Sequence, residues 1–219
     1  MSSTSKFKAL ILDCDGVIVD SEPLSCGAWN VLFQREYNVD IGTNYEAILG
    51  GNTRDAVRYY LKKHDLEITN EIIEKLCALK EKTYLELAKG KLKLINGVER
   101  IFEQAKQLGW KIGVASSGIP SKIEFSLTQV GFQNRFDAIT GMRESLRGKP
   151  FPDIFLETAM KLTTDPKECI VIEDTPKGIM AAKRASMLVI GITSTFPKEI
   201  LNNADLIISS FQELDLRTI

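Results

Sequence analysis

The sequence predicts an α/β protein: a parallel sheet with covering helices, interrupted early by a helical insertion. Three observations predict it. Short apolar runs alternate with helical patterns through the second half of the chain, the rhythm of strand-helix-strand units. One run of the same kind, Ala9 to Leu12, stands alone near the N-terminal end. Between that run and about Leu92 the apolar residues recur instead at spacings of three and four.

Taken in order, the first strand is Ala9-Leu10-Ile11-Leu12, followed by Gly16 and two more apolar residues. From Pro23 to Gly90 the pattern is helical: Trp29, Leu32 and Phe33, then Val57, Tyr60 and Leu61, then Ile72, Ile73, Leu76, Leu79 and Leu87. Trp29, Phe33 and the Leu/Ile stripe read as the interior of a helical unit rather than a binding box. Gly50-Gly51, Gly90 and the Asn96-Gly97 turn punctuate this stretch, and no second strand of comparable quality precedes Leu92. The later strands are Lys111 to Ala115, Phe136 to Thr140, Cys169 to Ile172, Leu188 to Ile192 and Asp205 to Ile208. The expected organisation is a Rossmann-like core from residues 1–19 and 91–219, with an α-helical domain of residues 20–90 inserted after the first strand. At 219 residues the chain exceeds the usual single-domain size of roughly 100 to 150, as one domain with an insertion would.

Composition narrows the function. Lys plus Arg is 28 against 29 Asp plus Glu, a net charge of −1, which argues against a general nucleic-acid or membrane-surface binder. No apolar run approaches the roughly 20 residues of a membrane span, and Met1 to Lys8 carries no signal-type stretch, so the expectation is a cytoplasmic protein. Cys14, Cys26, Cys77 and Cys169 are scattered, which suits a reducing compartment and apolar packing rather than ligation. With His64 the single histidine, Ser-His-Asp chemistry loses its footing, and carboxylates, Lys and Ser must carry any reaction.

Four patterns sit at strand ends, where parallel sheets bind ligands. Asp13 and Asp15 close the first strand ahead of Gly16; they either converge on a ligand or merely start a turn. Ser116, Ser117 and Gly118 follow the strand at 111–115, and either cap the next helix or offer a hydroxyl and N–H groups to a phosphate. Gly148-Lys149-Pro150-Phe151-Pro152-Asp153 holds a lysine in a stiff turn, with Asp153 as a helix N-cap; a solvated loop lysine is the plainer reading. Glu173-Asp174-Thr175-Pro176 places two acids before a helix with Thr175 at N-cap and Pro176 in the first turn, where acids also favour the helix dipole.

In this order the motifs resemble the haloacid dehalogenase-like superfamily, in its β-phosphoglucomutase and sugar-phosphate phosphatase branch. The resemblance runs through essentially the whole chain on Asp13-x-Asp15-Gly16-Val17, Asp20-Ser21-Glu22-Pro23-Leu24, Ser116, Gly148-Lys149-Pro150-x-Pro152-Asp153 and Glu173-Asp174-Thr175-x-x-Gly178. It implies that Asp13 is a nucleophile forming an aspartyl-phosphate, and that Asp15 protonates the leaving oxygen and then activates water. It further implies that Lys149 bridges Asp13 and phosphate, and that Ser116, with Ser117 and Gly118, binds phosphate. The implied cofactor is Mg2+, held by Asp13, the Asp15 carbonyl and Asp174, with Glu173 in or beside that shell. The helical insert resembles a cap closing over the site, with Arg54 in the cap loop either contacting a polar or anionic substrate group or pairing with Asp55 or solvent. Glu22 is a helix-start acid or a substrate-side residue.

A mutase of this branch would carry His at Ser25 and Lys-Asn at Ile119-Pro120. Their absence favours a Mg2+-dependent phosphatase of a small phosphorylated metabolite, such as a sugar phosphate, over a phosphomutase. A dehalogenase lacks the acid at Asp15 and the need for Glu173-Asp174, and intact catalytic residues speak against a silent binding protein. The expected partner is the metabolite alone, with no nucleic acid, no membrane, and the chain a monomer.

Overall fold

A computed structural model describes residues 6–43, 45, 47–48 and 51–219, so Gly50 of the expected Gly50-Gly51 break lies outside the described residues. The chain runs β1 (Ala9–Leu12), β2 (Val19–Asp20), α1 (Glu22–Tyr37), α2 (Thr53–Lys63), α3 (Asn70–Ala88), β3 (Lys93–Leu94) and α4 (Val98–Gln107). It continues through β4 (Lys111–Ala115), α5 (Pro120–Gln129), β5 (Ala138–Thr140), α6 (Asp153–Lys161), β6 (Cys169–Glu173), α7 (Pro176–Arg184), β7 (Leu188–Ile192) and β8 (Leu206–Ile208).

Six strands form one parallel sheet in the order β5-β4-β1-β6-β7-β8. Its strands read as continuous apolar runs because both faces are covered. Leu10, Leu12, Ile112, Val114, Ile170 and Ile172 point to one face, against Val98, Ile101 and Phe102 of α4 and Ile123 and Leu127 of α5. Their alternates Ala9, Ile11, Cys169 and Val171 point to the other, against Ile154 and Phe155 of α6 and Ile179 and Ala182 of α7. Because β1 lies between β4 and β6, chain connections leave it in opposite directions, and the crevice of a doubly wound sheet opens at its carboxyl end.

The stretch between β2 and β3 is helical. Trp29, Leu32, Phe33, Val57, Tyr60, Leu61, Ile73 and Leu76 bury one another in a cluster of their own. The far end of α3 leaves that cluster: Tyr84 and Ala88 pack into the core of the sheet, and the Tyr84 hydroxyl shares a hydrogen bond with Ser126 Oγ of α5 at 2.9 Å. One local expectation gains a detail and another needs correction. The sequence suggests no strand of comparable quality between β1 and Leu92, and the one that occurs there is only two residues long: Val19–Asp20 pairs antiparallel with Lys93–Leu94, tying together the two crossings into the insert. Pairs this short carry too few alternating residues to show a period. The helix N-cap is Pro152 rather than Asp153; the Asp153 carboxylate reaches back to the Arg147 N–H (3.1 Å) and guanidinium (2.8 Å), closing the loop before the helix.

Candidate active site

Strand register brings the motifs together. Leu12 lies opposite Val114 on one side and Ile172 on the other, so the residues that follow, Asp13, Ala115-Ser116 and Glu173, emerge side by side. Asp13 is 6% exposed and its Oδ1 accepts a hydrogen bond from Lys149 Nζ at 2.5 Å. The same ammonium donates to Glu173 Oε1 at 2.5 Å and to the Ala115 carbonyl at 3.5 Å. The loop carrying it, with a cis Lys149–Pro150 bond, thus delivers one cation between two strand-end acids. Burial alone would lower the Lys149 pKa, but Asp13 and Glu173 more than reverse it and keep the amine protonated.

Glu173 is wholly buried and its other oxygen accepts from the Asp174 N–H (2.9 Å), the Thr175 N–H (2.9 Å) and the Thr175 hydroxyl (3.0 Å). Thr175 in turn caps α7, its Oγ1 accepting from the Gly178 N–H at 3.1 Å. Gly178 has no side chain because a Cβ there would run into the Glu173 carboxylate. This explains the Glu173-Asp174-Thr175-x-x-Gly178 spacing: Glu173 braces the helix start, and Asp174 follows it, buried at the strand end.

Asp174, also fully buried, accepts from the Thr195 hydroxyl on Oδ2, while Oδ1 has no hydrogen-bond partner among the described residues. Gly16 sits against it at φ +77°, so any side chain there would both strain the backbone and strike the Asp174 carboxylate. Burial raises the Asp13 pKa to about 8, reinforced by Glu173 and Asp15 and opposed by Lys149. Burial, with Glu173 and Asp13 behind it, raises Asp174 well above its usual range. Asp13, Glu173 and Asp174 thus gather three carboxyl groups around the single ammonium of Lys149, and this corner of the site is short of positive charge.

A divalent hard cation fits that deficit. Mg2+ is commonly held by one or two carboxylates plus carbonyls and waters, not by an all-protein cage. Accordingly, no three Asp, Glu, His or Cys side chains form a ready-made metal cluster among the described residues. The orphaned Asp174 Oδ1 and the Asp13 carboxylate are the oxygens such an ion would use. Both oxygens of Glu173, expected in or beside the shell, are engaged by Lys149 and the helix start.

Asp15 accepts from Lys122 Nζ of α5 at 2.8 Å and from the Ser21 hydroxyl. Against burial, which would raise it, Lys122 and these hydrogen bonds hold the Asp15 pKa below the usual carboxylate range. The Ser116 hydroxyl accepts from the Gly118 N–H at 3.1 Å, and α5 has Ile119 at its N-cap, so the serines do not cap the helix. They line the cleft together with Gly118.

The cleft runs from these strand ends to the helical insert, whose Glu22, Ser25, Trp29, Asn52, Thr53 and Lys80 form its far wall. Glu22 is thus cleft-facing, its carboxylate accepting from the Cys26 thiol, and burial with Asp15 nearby raises its pKa. Trp29 belongs both to the insert core and to the wall. Arg54 corrects an expectation: it pairs with Glu74 of α3 rather than with Asp55, and is not among the residues lining the cleft. Residue 54 lies in the first turn of α2, and that turn presents Asn52 and Thr53 to the cleft instead.

Sequence reasoning missed Lys122, Thr195, Lys80 and Glu81, and gave Ser21, quoted within the Asp20-to-Leu24 motif, no role of its own. Only Lys80 left a trace: it occupies a stripe position of α3, in step with Ile73, Leu76 and Tyr84, where an apolar residue is expected.

Two carboxylates, a buried lysine and a serine at the carboxyl ends of a parallel sheet, under a helical insert, define a phosphate-handling α/β hydrolase. The chain belongs to the haloacid dehalogenase-like hydrolase family, whose model matches residues 10–192. It is 29% identical to the validoxylamine A 7'-phosphate phosphatase of Streptomyces hygroscopicus subsp. limoneus, over 95% of this chain and 96% of that one. It is 31% identical to the β-phosphoglucomutase of Bacillus subtilis (strain 168), over 95% of this chain and 92% of that one. The crystal structure of a β-phosphoglucomutase from Clostridium difficile matches with a TM-score of 0.87 at 27% identity, covering 97% of this chain and 95% of that one. These relatives place the chain in the sugar-phosphate branch of the family as a phosphomonoester hydrolase.

Proposed function

We propose that the protein is a Mg2+-dependent phosphatase that hydrolyses a small phosphorylated metabolite, such as a sugar phosphate, through an aspartyl-phosphate on Asp13. The observation that carries this is the junction of Asp13 and Lys149 at 2.5 Å near Asp174, whose Oδ1 has no hydrogen-bond partner among the described residues. Asp13, the Asp15 carbonyl and Asp174 would hold the cation, with Glu173 beside them; when bound it offsets the repulsion between carboxylate and phosphate.

Asp13 attacks as the carboxylate, the form that Lys149 and a bound cation would favour against burial; Lys149 holds one of its oxygens and the other attacks phosphorus, forming the Asp13–phosphorus bond as the bond from phosphorus to the leaving oxygen breaks. Lys149, the Ser116 hydroxyl and the N–H of Ser117 steady the phosphate oxygens, and the Gly118 N–H orients the Ser116 hydroxyl. Asp15 passes a proton to the departing oxygen. It then takes one from the water that attacks the phosphorus and releases phosphate, restoring Asp13. Asp15 is ionised in its contact with Lys122, the form a base requires, so its acid half-cycle needs a proton taken up as substrate enters.

The insert acts as a cap, excluding bulk water and reading the leaving group. The chain's free thiols suit the cytoplasm.

A phosphomutase is the second reading, supported by the 31% identity to the Bacillus enzyme. Ser25, Ile119 and Pro120 weigh against it: Ser25 is occupied with Lys80, Ile119 is a partly exposed N-cap, and Pro120 begins α5. Phosphate release from a sugar-phosphate panel, run beside conversion of β-glucose 1-phosphate to glucose 6-phosphate, separates the two. Isomerisation without phosphate release would reverse their order.

A further inference from the structure

The turn that follows β7 grips the strand-end acids from behind, and the proposed chemistry gives it no part. Ser194 Oγ donates to the Gly16 carbonyl at 2.5 Å, and the Thr195 hydroxyl donates to Asp174 Oδ2. Gly16 makes room for the second contact, since a Cβ there would strike both the Asp174 carboxylate and Thr195 Oγ1. Thr195 itself is only half-buried and borders, with Gly16 and Ser194, a second cavity lined also by Asp20 and Glu22. Its hydroxyl has solvent on one side and is not driven onto Asp174 by burial.

A carboxylate as fully buried as Asp174 ordinarily has both oxygens met. Only one is met here: Thr195 takes Oδ2, and Oδ1 has no hydrogen-bond partner among the described residues. At Asp13, likewise, Lys149 takes Oδ1. Each of the two acids assigned to the cation thus has one oxygen already engaged by the protein. That arrangement discriminates between hard cations. Mg2+ keeps a tight octahedron with several waters and is held through one or two carboxylates, whereas Ca2+ takes about six to eight oxygens at longer distance and accepts both oxygens of one carboxylate. A carboxylate with one oxygen held by a hydroxyl suits the first ion and denies the second its two-oxygen grip.

We infer that Thr195 is a positioning residue that sets cation specificity: by holding Oδ2 it leaves Asp174 a one-oxygen ligand and favours Mg2+ over Ca2+. This rests on the cation site of the phosphatase reading and extends it, from which acids hold an ion to which ion they admit.

The test is cation binding without substrate. Mn2+ binding is followed by the electron paramagnetic resonance signal of the free ion, and Mg2+ or Ca2+ is then added to displace it, in the wild type, Thr195→Val, Thr195→Ser, Ser194→Ala and Asp174→Asn. Asp174→Asn is expected to weaken Mn2+ binding by about tenfold or more. No binding in the wild type, or unchanged binding in Asp174→Asn, removes the cation site and this inference with it. Where that site stands, Thr195→Val, which keeps the side-chain shape and loses the hydroxyl, is expected to shift the ratio of Ca2+ to Mg2+ affinity toward Ca2+ by about tenfold. The ratio compares two ions on the same molecules, so partial unfolding cannot move it. Thr195→Ser is expected to restore the wild-type ratio, and Ser194→Ala, which leaves the Thr195 hydroxyl in place, to keep it. A ratio unchanged in Thr195→Val, affinity lost equally for both ions, no restoration by serine, or the same shift in Ser194→Ala overturns the assignment to Thr195 while leaving the cation site intact.

Discussion

Lys149 ties Asp13 to Glu173 with two short hydrogen bonds inside a buried site. Removing it leaves two buried acids without their cation, so Lys149→Met is expected to lose activity by about 10²–10³-fold and to cost roughly 3–5 kcal/mol in urea unfolding. Lys149→Arg should rescue little, since a planar fork does not replace a point charge in so tight a place. Asp13→Asn is expected to abolish Mg2+-dependent phosphate release at an unchanged melting temperature; substantial residual turnover would falsify the nucleophile assignment. Asp13 and Asp174 were legible because each closes a local pattern at a strand end, and Lys149 because it sits in a stiff Gly-Lys-Pro turn. Lys122 was not, because its partner Asp15 is 107 positions away and only the packing of α5 joins them. Glu81 was hidden in the same way, an ordinary helix acid until α3 is set across the cleft.

The turn from β6 into α7 is where one element positions chemistry. Thr175 caps the helix and donates to Glu173, so Thr175→Ala is expected to cost about 1 kcal/mol and to loosen Asp174 as well. Weakened Mg2+ binding by calorimetry, beyond the loss of stability, would separate positioning from capping. Gly16→Ala should do more harm, since backbone strain and collision with Asp174 coincide. The sheet strands were legible from continuous apolar runs, and Thr175-Pro176 from cap chemistry. The β2–β3 pair and the Pro152 cap were not, because two-residue pairings and the return of Asp153 to Arg147 are set by tertiary closure.

Across the whole molecule, α3 joins insert to sheet: one end packs in the helical cluster, the other beneath α5, with Lys80 buried between. Burial, with Lys122 adding to it and Glu81, Asp15 and Glu22 opposing, lowers the Lys80 pKa from 10.5 to about 8. Between those values the unfolded chain binds the proton that the folded chain has released, so this lysine makes stability rise with pH from about 8 to 10.5. Below about 8 the penalty is present in full, on the order of 3 kcal/mol. Lys80→Met is therefore expected to melt higher than the wild type at pH 7, with the difference shrinking toward pH 10; a variant less stable at pH 7 would show that Lys80 is matched by charge. That a costly cation persists in this place accords with a role in the cleft.

The reaction assigned to these parts leaves a bond that can be caught. Mixing the protein and Mg2+ with a substrate labelled in its phosphate, quenching in acid within one turnover and mapping the labelled peptide is the most direct measurement. Label on Asp13, absent in Asp13→Asn and absent when a chelator is added before substrate, is the expected result. Full phosphate release with no label on any residue, or label on a residue other than Asp13, would contradict it.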